Sequence, residues 1–142
     1  MPALFYQTAG KQWSTGYNVN ASTIPARRVV GRAAPVAASL FAIDTLAALA
    51  NVEKAWGVTR TDIPTLTAGD VAVEDDMIVP VDTTAAAVNA GDKLTVEQAT
   101  GKVLVAAPGA GTNAEIVGIA ESSVSGSGGT IQMRIKRYIK QG

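Results

Sequence analysis

The sequence predicts a mainly β domain with one short helix and an extended N-terminal arm. Short apolar runs alternate with glycine turns between residues 88 and 121, and apolar and polar residues alternate strictly near the C-terminus. The first 34 residues show neither pattern, although they are rich in aromatic side chains. We therefore predict an arm over residues 1–34 and a β-rich domain over residues 35–142.

Glycine turns separate the strands predicted in the middle of the chain. Lys93–Val96 and Lys102–Val105 are predicted to form a hairpin, because the five residues between them end in Gly101, which can supply a positive φ. A third run, Glu115–Glu121, follows a loop that contains Gly109 and Gly111.

The strongest strand prediction is Thr130–Lys140. Its apolar residues fall on one face and its polar residues on the other, with Ile131, Met133 and Ile135 against Gln132, Arg134 and Lys136. The Ser- and Gly-rich residues 122–129 before it are predicted to be a hairpin loop.

Two further apolar runs, at 71–73 and 77–81, flank the acidic residues Glu74, Asp75 and Asp76. The acidic residues predict a turn or a bulge. Pro80 predicts an edge strand, because proline cannot donate a hydrogen bond to a neighbouring strand. The Ala-rich segment 83–89 is predicted to make one helical turn.

The predicted helix covers about residues 39–54. This segment is rich in Ala and Leu and contains no Gly or Pro, and its apolar residues recur at spacings of three to five. A pair of strands is the alternative interpretation.

The arm contains four of the seven aromatic residues of the chain. A disordered terminus is one interpretation. The other is a segment that becomes ordered on a partner, with aromatic anchors and with arginines that bind carboxylates. On that interpretation the predicted partner-binding residues are Phe5, Tyr6, Trp13, Tyr17, Arg27, Arg28 and Arg32.

Composition argues against several classes of function. The chain has no Cys and no His, so the usual general base and the commonest metal ligands are absent, and we expect neither an enzyme nor a cofactor.

Residues 1–60 carry six Lys/Arg against two acids, residues 61–121 two against ten, and residues 122–142 four against none. These cations are too sparse to predict nucleic-acid binding. No secretory signal or membrane span is predicted, which suggests synthesis in a cytoplasm.

Three short motifs fail the tests for ligand binding. The residues from Gly109 to Ala114 fit a dinucleotide-binding pattern, but a β-type run follows them where that fold needs a helix. The residues around Gly101 and Lys102 match the end of a phosphate-binding loop at too few positions. The acidic triplet 74–76 lacks the spacing of a calcium loop and is better interpreted as a solvated turn.

Six short motifs, taken in order, resemble the head decoration (capsid cement) proteins of tailed phages. They are Gly57–Ile63 (GVTRTDI), Gly69–Val73 (GDVAV), Ala90–Leu94 (AGDKL), Thr100–Val103 (TGKV), Val117–Ala120 (VGIA) and Thr130–Ile135 (TIQMRI). The resemblance covers roughly the last 85 residues. The first 50 residues are longer and richer in Ala than the family pattern.

This resemblance implies a small β-sandwich or partly open β-barrel and a structural function in a virion. It implies a location on the outer capsid surface, contact with the major capsid protein, assembly as a homotrimer and no catalytic residues. The N-terminal arm would then clamp capsid subunits by adding a strand to a sheet edge. The alternative is a phage-borne module that binds carbohydrate or another surface, with Trp56 and Tyr138 as the obvious aromatics for stacking on sugars.

Overall fold

Residues 12–34, 41–50 and 54–141 are described by the computed structural model. They form a mainly β protein with one short helix, as the sequence predicts. The strands belong to a closed barrel and to a second sheet of five strands. No helix in these ranges is long and apolar enough to cross a membrane.

Five short strands from the first half of the chain close into the barrel. They are β1 (Ser14–Asn18), β2 (Val29–Arg32), β3 (Ala42–Thr45), β4 (Ala55–Thr59) and β5 (Ala68–Ala72). Their order around the barrel is β1-β3-β2-β4-β5, and β5 pairs with β1 to complete it. The β1–β3 pair is parallel and the other four pairs are antiparallel.

This barrel corrects the prediction of an extended arm over residues 1–34. β1 and β2 are two of its five strands, so residues 14–32 are built into the fold. The part of the predicted arm before residue 12, which includes Phe5 and Tyr6, lies outside the described residues.

A pair of glycines allows the barrel to close. Gly16 of β1 lies directly opposite Gly69 of β5. A Cβ atom at Gly16 would lie 2.8 Å from Ile43 Cδ1, and one at Gly69 would lie 2.6 Å from Ile63 Cγ1. These isoleucines belong to the apolar cluster Ile24, Val30, Ile43, Ile63 and Val71. The two glycines therefore leave the space that this cluster fills.

The helix predicted over about residues 39–54 is much shorter in the structure. Ala42–Thr45 within this segment is β3, and helix α1 covers only Leu46–Leu49. The Thr45 hydroxyl accepts a hydrogen bond from the Ala48 N–H at 3.2 Å, and Ala50 ends the helix with a left-handed φ of 54°. Strand pairing on both sides of β3 therefore overrides the helical preference of its sequence.

The second half of the chain forms an antiparallel sheet. Its strands are β6 (Ile78–Asp82), β7 (Lys93–Val96), β8 (Val103–Val105), β9 (Asn113–Ala120) and β10 (Thr130–Gln141). They lie in the order β6-β10-β9-β7-β8. The predicted hairpin is confirmed as β7 and β8, with Gly101 at φ 74°.

Other predictions for this half are also confirmed. The apolar face of β10 is buried, and Pro80 lies in β6, an edge strand of the sheet. The acidic residues 74–76 form a turn. The helical turn predicted over residues 83–89 is wrong, because Thr83 and Val88 make isolated bridges to Val103 and Val124 instead.

One apolar core joins the barrel to the sheet. Val29, Leu46, Val58 and Ala72 from the barrel half pack in the same cluster as the buried residues of β6, β7, β9 and β10. Because apolar burial stabilises in proportion to the area removed from water, this shared cluster holds the two sheets together as one unit.

Candidate partner-binding surface

Three side chains from neighbouring parts of the barrel form an exposed aromatic and cationic group, which we call the Arg32 cluster: Arg32, Phe41 and Trp56. The guanidinium carbon of Arg32 lies 4.8 Å from the centre of the Phe41 ring and 5.2 Å from the centre of the Trp56 ring. The two ring centres are 6.5 Å apart, with the ring planes inclined at 37°. Arg32 is exposed, and 56% of the surface of Phe41 is exposed.

The strand order explains why these residues meet. Arg32 ends β2, which lies between β3 and β4; Phe41 comes directly before β3, and Trp56 lies in β4. The pairing of β2 with β4 shifts register between Val30 and Gly31, immediately before Arg32. A bulge of this kind bends a strand and redirects the side chains beside it.

Trp56 connects this surface to the core. Its ring lines a small cavity between the barrel and the second sheet, together with Val58, Val117 and Met133. The cavity volume is about 10 Å³, which is room for a single water molecule. Trp56 also packs against the apolar cluster of the barrel, and the cavity is too small for a substrate.

The chemistry of the Arg32 cluster is that of a protein-binding surface. Tryptophan and arginine are the residue types most enriched at the energetic centres of protein interfaces. Within the described ranges, Arg32 has no carboxylate within ion-pair distance. Its guanidinium has the fixed charge and planar donors that bind a carboxylate with two hydrogen bonds.

Arg27 and Arg28, which were predicted to bind carboxylates on a partner, bind one within the chain. Arg27 Nε lies 2.9 Å from Asp82 Oδ1, and Arg28 Nε lies 3.3 Å from Asp82 Oδ2. Thr130 Oγ1 donates a third hydrogen bond to this carboxylate, at 2.9 Å. We call this group the Asp82 latch, because it ties the barrel to strands β6 and β10 of the sheet.

The predicted aromatic anchors are also separated by the fold. Tyr17 is a half-buried residue of β1. Trp13 is half-buried against the shared core, and the guanidinium carbon of Arg60 lies 5.1 Å from its ring centre. Of the predicted partner-binding residues that the structure describes, only Arg32 belongs to the exposed cluster.

The charge segregation seen along the sequence largely cancels in three dimensions. Asp76 of the acidic turn lies 3.0 Å from Lys136 Nζ and 3.8 Å from Arg134 Nη1, and Arg134 Nε lies 2.6 Å from Glu121 Oε1. The basic face of β10 is therefore occupied by the acidic middle of the chain. Among the described residues, no three or more His, Cys, Asp or Glu side chains are placed so that they could hold a metal ion together.

Phe41 and Trp56 were not predicted as members of one site. Phe41 lay in the segment interpreted as a helix, and its separation from Arg32 and Trp56 along the chain gives no sign of contact. One feature of the sequence could have pointed to this cluster: Trp56 is a large aromatic residue next to Gly57, at the start of a predicted β region.

No protein-family model and no curated protein sequence matches the chain. A solved structure with a similar fold is the head fiber gp8.5 N base of bacteriophage phi29. The similarity has a TM-score of 0.58 at 14% sequence identity, and it covers 92% of this chain and 98% of that one. This chain thus shares the fold of a phage head fiber base over nearly the whole length of both.

Proposed function

We propose that this chain is a structural protein of a phage head, which binds the outer surface of the capsid and stabilises the shell. The observation that carries the proposal is the fold shared with the phi29 head fiber base over 92% of the chain. The decoration-protein motifs in the sequence support the same class of function from an independent direction.

The Arg32 cluster is the surface we propose for the major capsid protein. Phe41 offers exposed apolar area, Trp56 packs against the apolar cluster of the barrel, and Arg32 is without a carboxylate partner among the described residues. A capsid surface that presents a carboxylate beside an apolar patch would match all three. Repetition of the contact over the capsid lattice would add avidity to a weak single contact.

Two parts of this proposal rest on the sequence and not on the fold. They are assembly as a homotrimer and a clamp made by the N-terminus. Because β1 begins at Ser14, the clamp is now limited to the residues before it, which include Phe5 and Tyr6. A truncation that tests the clamp should therefore remove residues 2–11 and leave the barrel intact.

Co-sedimentation with expanded, undecorated heads of the phage that encodes the protein tests the proposal. We expect the wild-type chain to bind, and we expect Arg32→Ala to weaken binding by about 10-fold or more, which corresponds to about 1.4 kcal/mol. Arg60→Ala is the matched control, since Arg60 also lies over a tryptophan ring but outside the Arg32 cluster. It should bind as the wild type does.

Phe41→Ser and Leu66→Ser form a second matched pair, because both side chains are more than half exposed, at 56% and 64%. Only Phe41→Ser should lose binding. Equal losses in the two variants of either pair would show that the capsid uses another surface. Failure of the wild-type chain to bind heads, together with binding to glycans, would favour the carbohydrate-binding alternative.

A further inference from the structure

Arg32 is one of three exposed cations that meet at the start of β4. Lys54 directly precedes this strand. Arg137 of β10 donates a hydrogen bond from Nη1 to the carbonyl of Ala55, at 3.4 Å, and Arg32 lies over the ring of Trp56. These three consecutive residues of the chain span about 7 Å of extended backbone, so they bring the three cations to one place.

Arg137 brings the second sheet into this surface. Its Nη2 donates to the carbonyl of Val73, directly after β5, at 3.2 Å. Both of its acceptors are neutral main-chain carbonyls, so they do not balance the positive charge of the guanidinium. Arg137 also lines the same small cavity as Trp56. The cation from β10 and the tryptophan of the Arg32 cluster are therefore neighbours.

The three cations differ from others nearby in their charge balance. No carboxylate of the described residues lies within ion-pair distance of Arg32, Lys54 or Arg137. Arg134 and Lys136, on the same strand as Arg137, each have one, at 2.6 Å and 3.0 Å. Like charges held close together repel, and an anion that binds beside them removes the repulsion. The surface is thus suited to a negatively charged partner.

We propose that Arg32, Lys54 and Arg137, with the rings of Phe41 and Trp56, form one binding surface for an acidic protein segment. We call these five residues the cationic rim. Carboxylates of the segment pair with the arginines, and an apolar side chain between them lies against the exposed ring of Phe41. The proposal rests on the proposed function and deepens it, because it states the chemistry of the capsid segment that would bind.

The aromatic geometry favours a protein segment over a single-stranded nucleic acid. Bases stack on the open faces of aromatic rings. Here the guanidinium carbon of Arg32 lies 4.8 Å and 5.2 Å from the two ring centres, so it already covers one face of each ring. The planes of Phe41 and Trp56 are inclined at 37°, so a flat base cannot lie parallel to both. An aliphatic side chain needs no parallel surface.

The first test measures binding of an acidic peptide to the full chain with Trp13→Phe. This variant leaves Trp56 as the single tryptophan, whose fluorescence follows binding, because the chain has only two. One probe is a peptide of alternating glutamate and leucine, and the other is the same peptide with glutamine for glutamate. We expect only the glutamate peptide to bind, and we expect its affinity to fall about 10-fold between about 50 mM and about 500 mM salt, because salt screens charges.

Substitutions in the same background test the two cations that are added here to the Arg32 cluster. Lys54→Gln and Arg137→Gln should each weaken binding of the glutamate peptide by about 3-fold or more. Lys93→Gln is the matched control, since Lys93 is also exposed and has no carboxylate within ion-pair distance among the described residues, but lies in β7. It should bind as the parent does. Circular dichroism checks that each variant is folded, and equal losses in all three would overturn the proposal.

Two other results would also overturn it. Glu53 is the one acid of the sequence that lies outside the described ranges. Glu53→Gln should leave peptide binding unchanged, and a gain of about 10-fold or more would show that the rim already has an acid in its own chain. An oligothymidylate that binds more tightly than the glutamate peptide would show that the partner is a nucleic acid.

The two proposals fail separately. A chain that binds the glutamate peptide through the cationic rim but binds no phage heads would refute the capsid function alone. Heads that bind the wild-type chain, Lys54→Gln and Arg137→Gln equally well would refute the cationic rim alone.

Discussion

Replacing Asp82 by alanine is expected to lower the free energy of unfolding by about 3 kcal/mol. The Asp82 carboxylate accepts from Arg27, Arg28 and Thr130, and its side chain is only 16% exposed. Hydrogen bonds to charged groups contribute about 1.5–3 kcal/mol each. The two arginines are 36% and 23% exposed, so solvent screening reduces each of these bonds to about 1 kcal/mol. Three such bonds give the expected total.

The assay is thermal and urea denaturation followed by circular dichroism, in which Asp82→Ala should lower Tm by roughly 10 °C. Asp70→Ala is the matched control, because Asp70 also has an arginine partner at 3.3 Å but both side chains are nearly half exposed. Asp70→Ala should lower the free energy of unfolding by less than about 0.5 kcal/mol. A difference between the two variants below about 1 kcal/mol would refute the assignment of Asp82 as the link between barrel and sheet.

Three further predictions concern stability, each measured by urea denaturation. Gly69→Ala should lower the free energy of unfolding by about 2 kcal/mol, because the new Cβ would crowd Ile63. Gly126→Ala, at a position with open space, should change it by no more than about 0.5 kcal/mol. Equal losses in the two variants would contradict the crowding argument. Ile131→Ala should lower the free energy of unfolding by about 3 kcal/mol, because the side chain lies in the shared core and is only 1% exposed. A loss below about 1 kcal/mol would mean that the core is loosely packed around Ile131. Arg134→Ala should lower the free energy of unfolding by less than about 1 kcal/mol, and by less still at high salt, because the ion pairs of Arg134 are partly exposed. A larger loss that does not change with salt would show that solvent ions do not screen these pairs.

The second sheet was largely predictable because its signals are local. The alternation in β10 spans six successive residues from Ile131 to Lys136, and one glycine marks the turn of the β7–β8 hairpin. Pro80 identified an edge strand because the missing N–H is a property of the residue itself. Each of these predictions needed only a few neighbouring residues.

The barrel was not predictable in the same way, because long-range pairing creates it. β1 and β2 have only five and four residues, too few for a clear alternation, and β1 pairs with β5, more than 50 residues later. The sequence that seemed irregular enough for an arm is therefore two short strands with polar turns between them. The Gly16–Gly69 pair that permits closure cannot be recognised until both strands are placed.

The Arg32 cluster shows the same limitation for function. The sequence suggested that aromatic residues and arginines at the N-terminus bind a partner. The Arg32 cluster does combine an arginine with two aromatic residues, but only Arg32 is one of the residues predicted. Arg27 and Arg28, however, have a partner in Asp82, which belongs to the acidic middle of the chain. Only the strand order β3-β2-β4 brings Phe41 and Trp56 to the two sides of Arg32.

The Asp82 latch and the shared core give the Arg32 cluster a fixed position on the molecule. Arg27 and Arg28 of the latch come directly before β2, the strand that ends at Arg32, and the cluster of buried apolar residues joins the barrel to the second sheet. A loosened latch would disturb β2 and, with it, Arg32. If the Arg32 cluster binds the capsid, as we propose, Asp82→Ala should weaken binding to heads at temperatures where the chain is still folded, whereas Asp70→Ala should not.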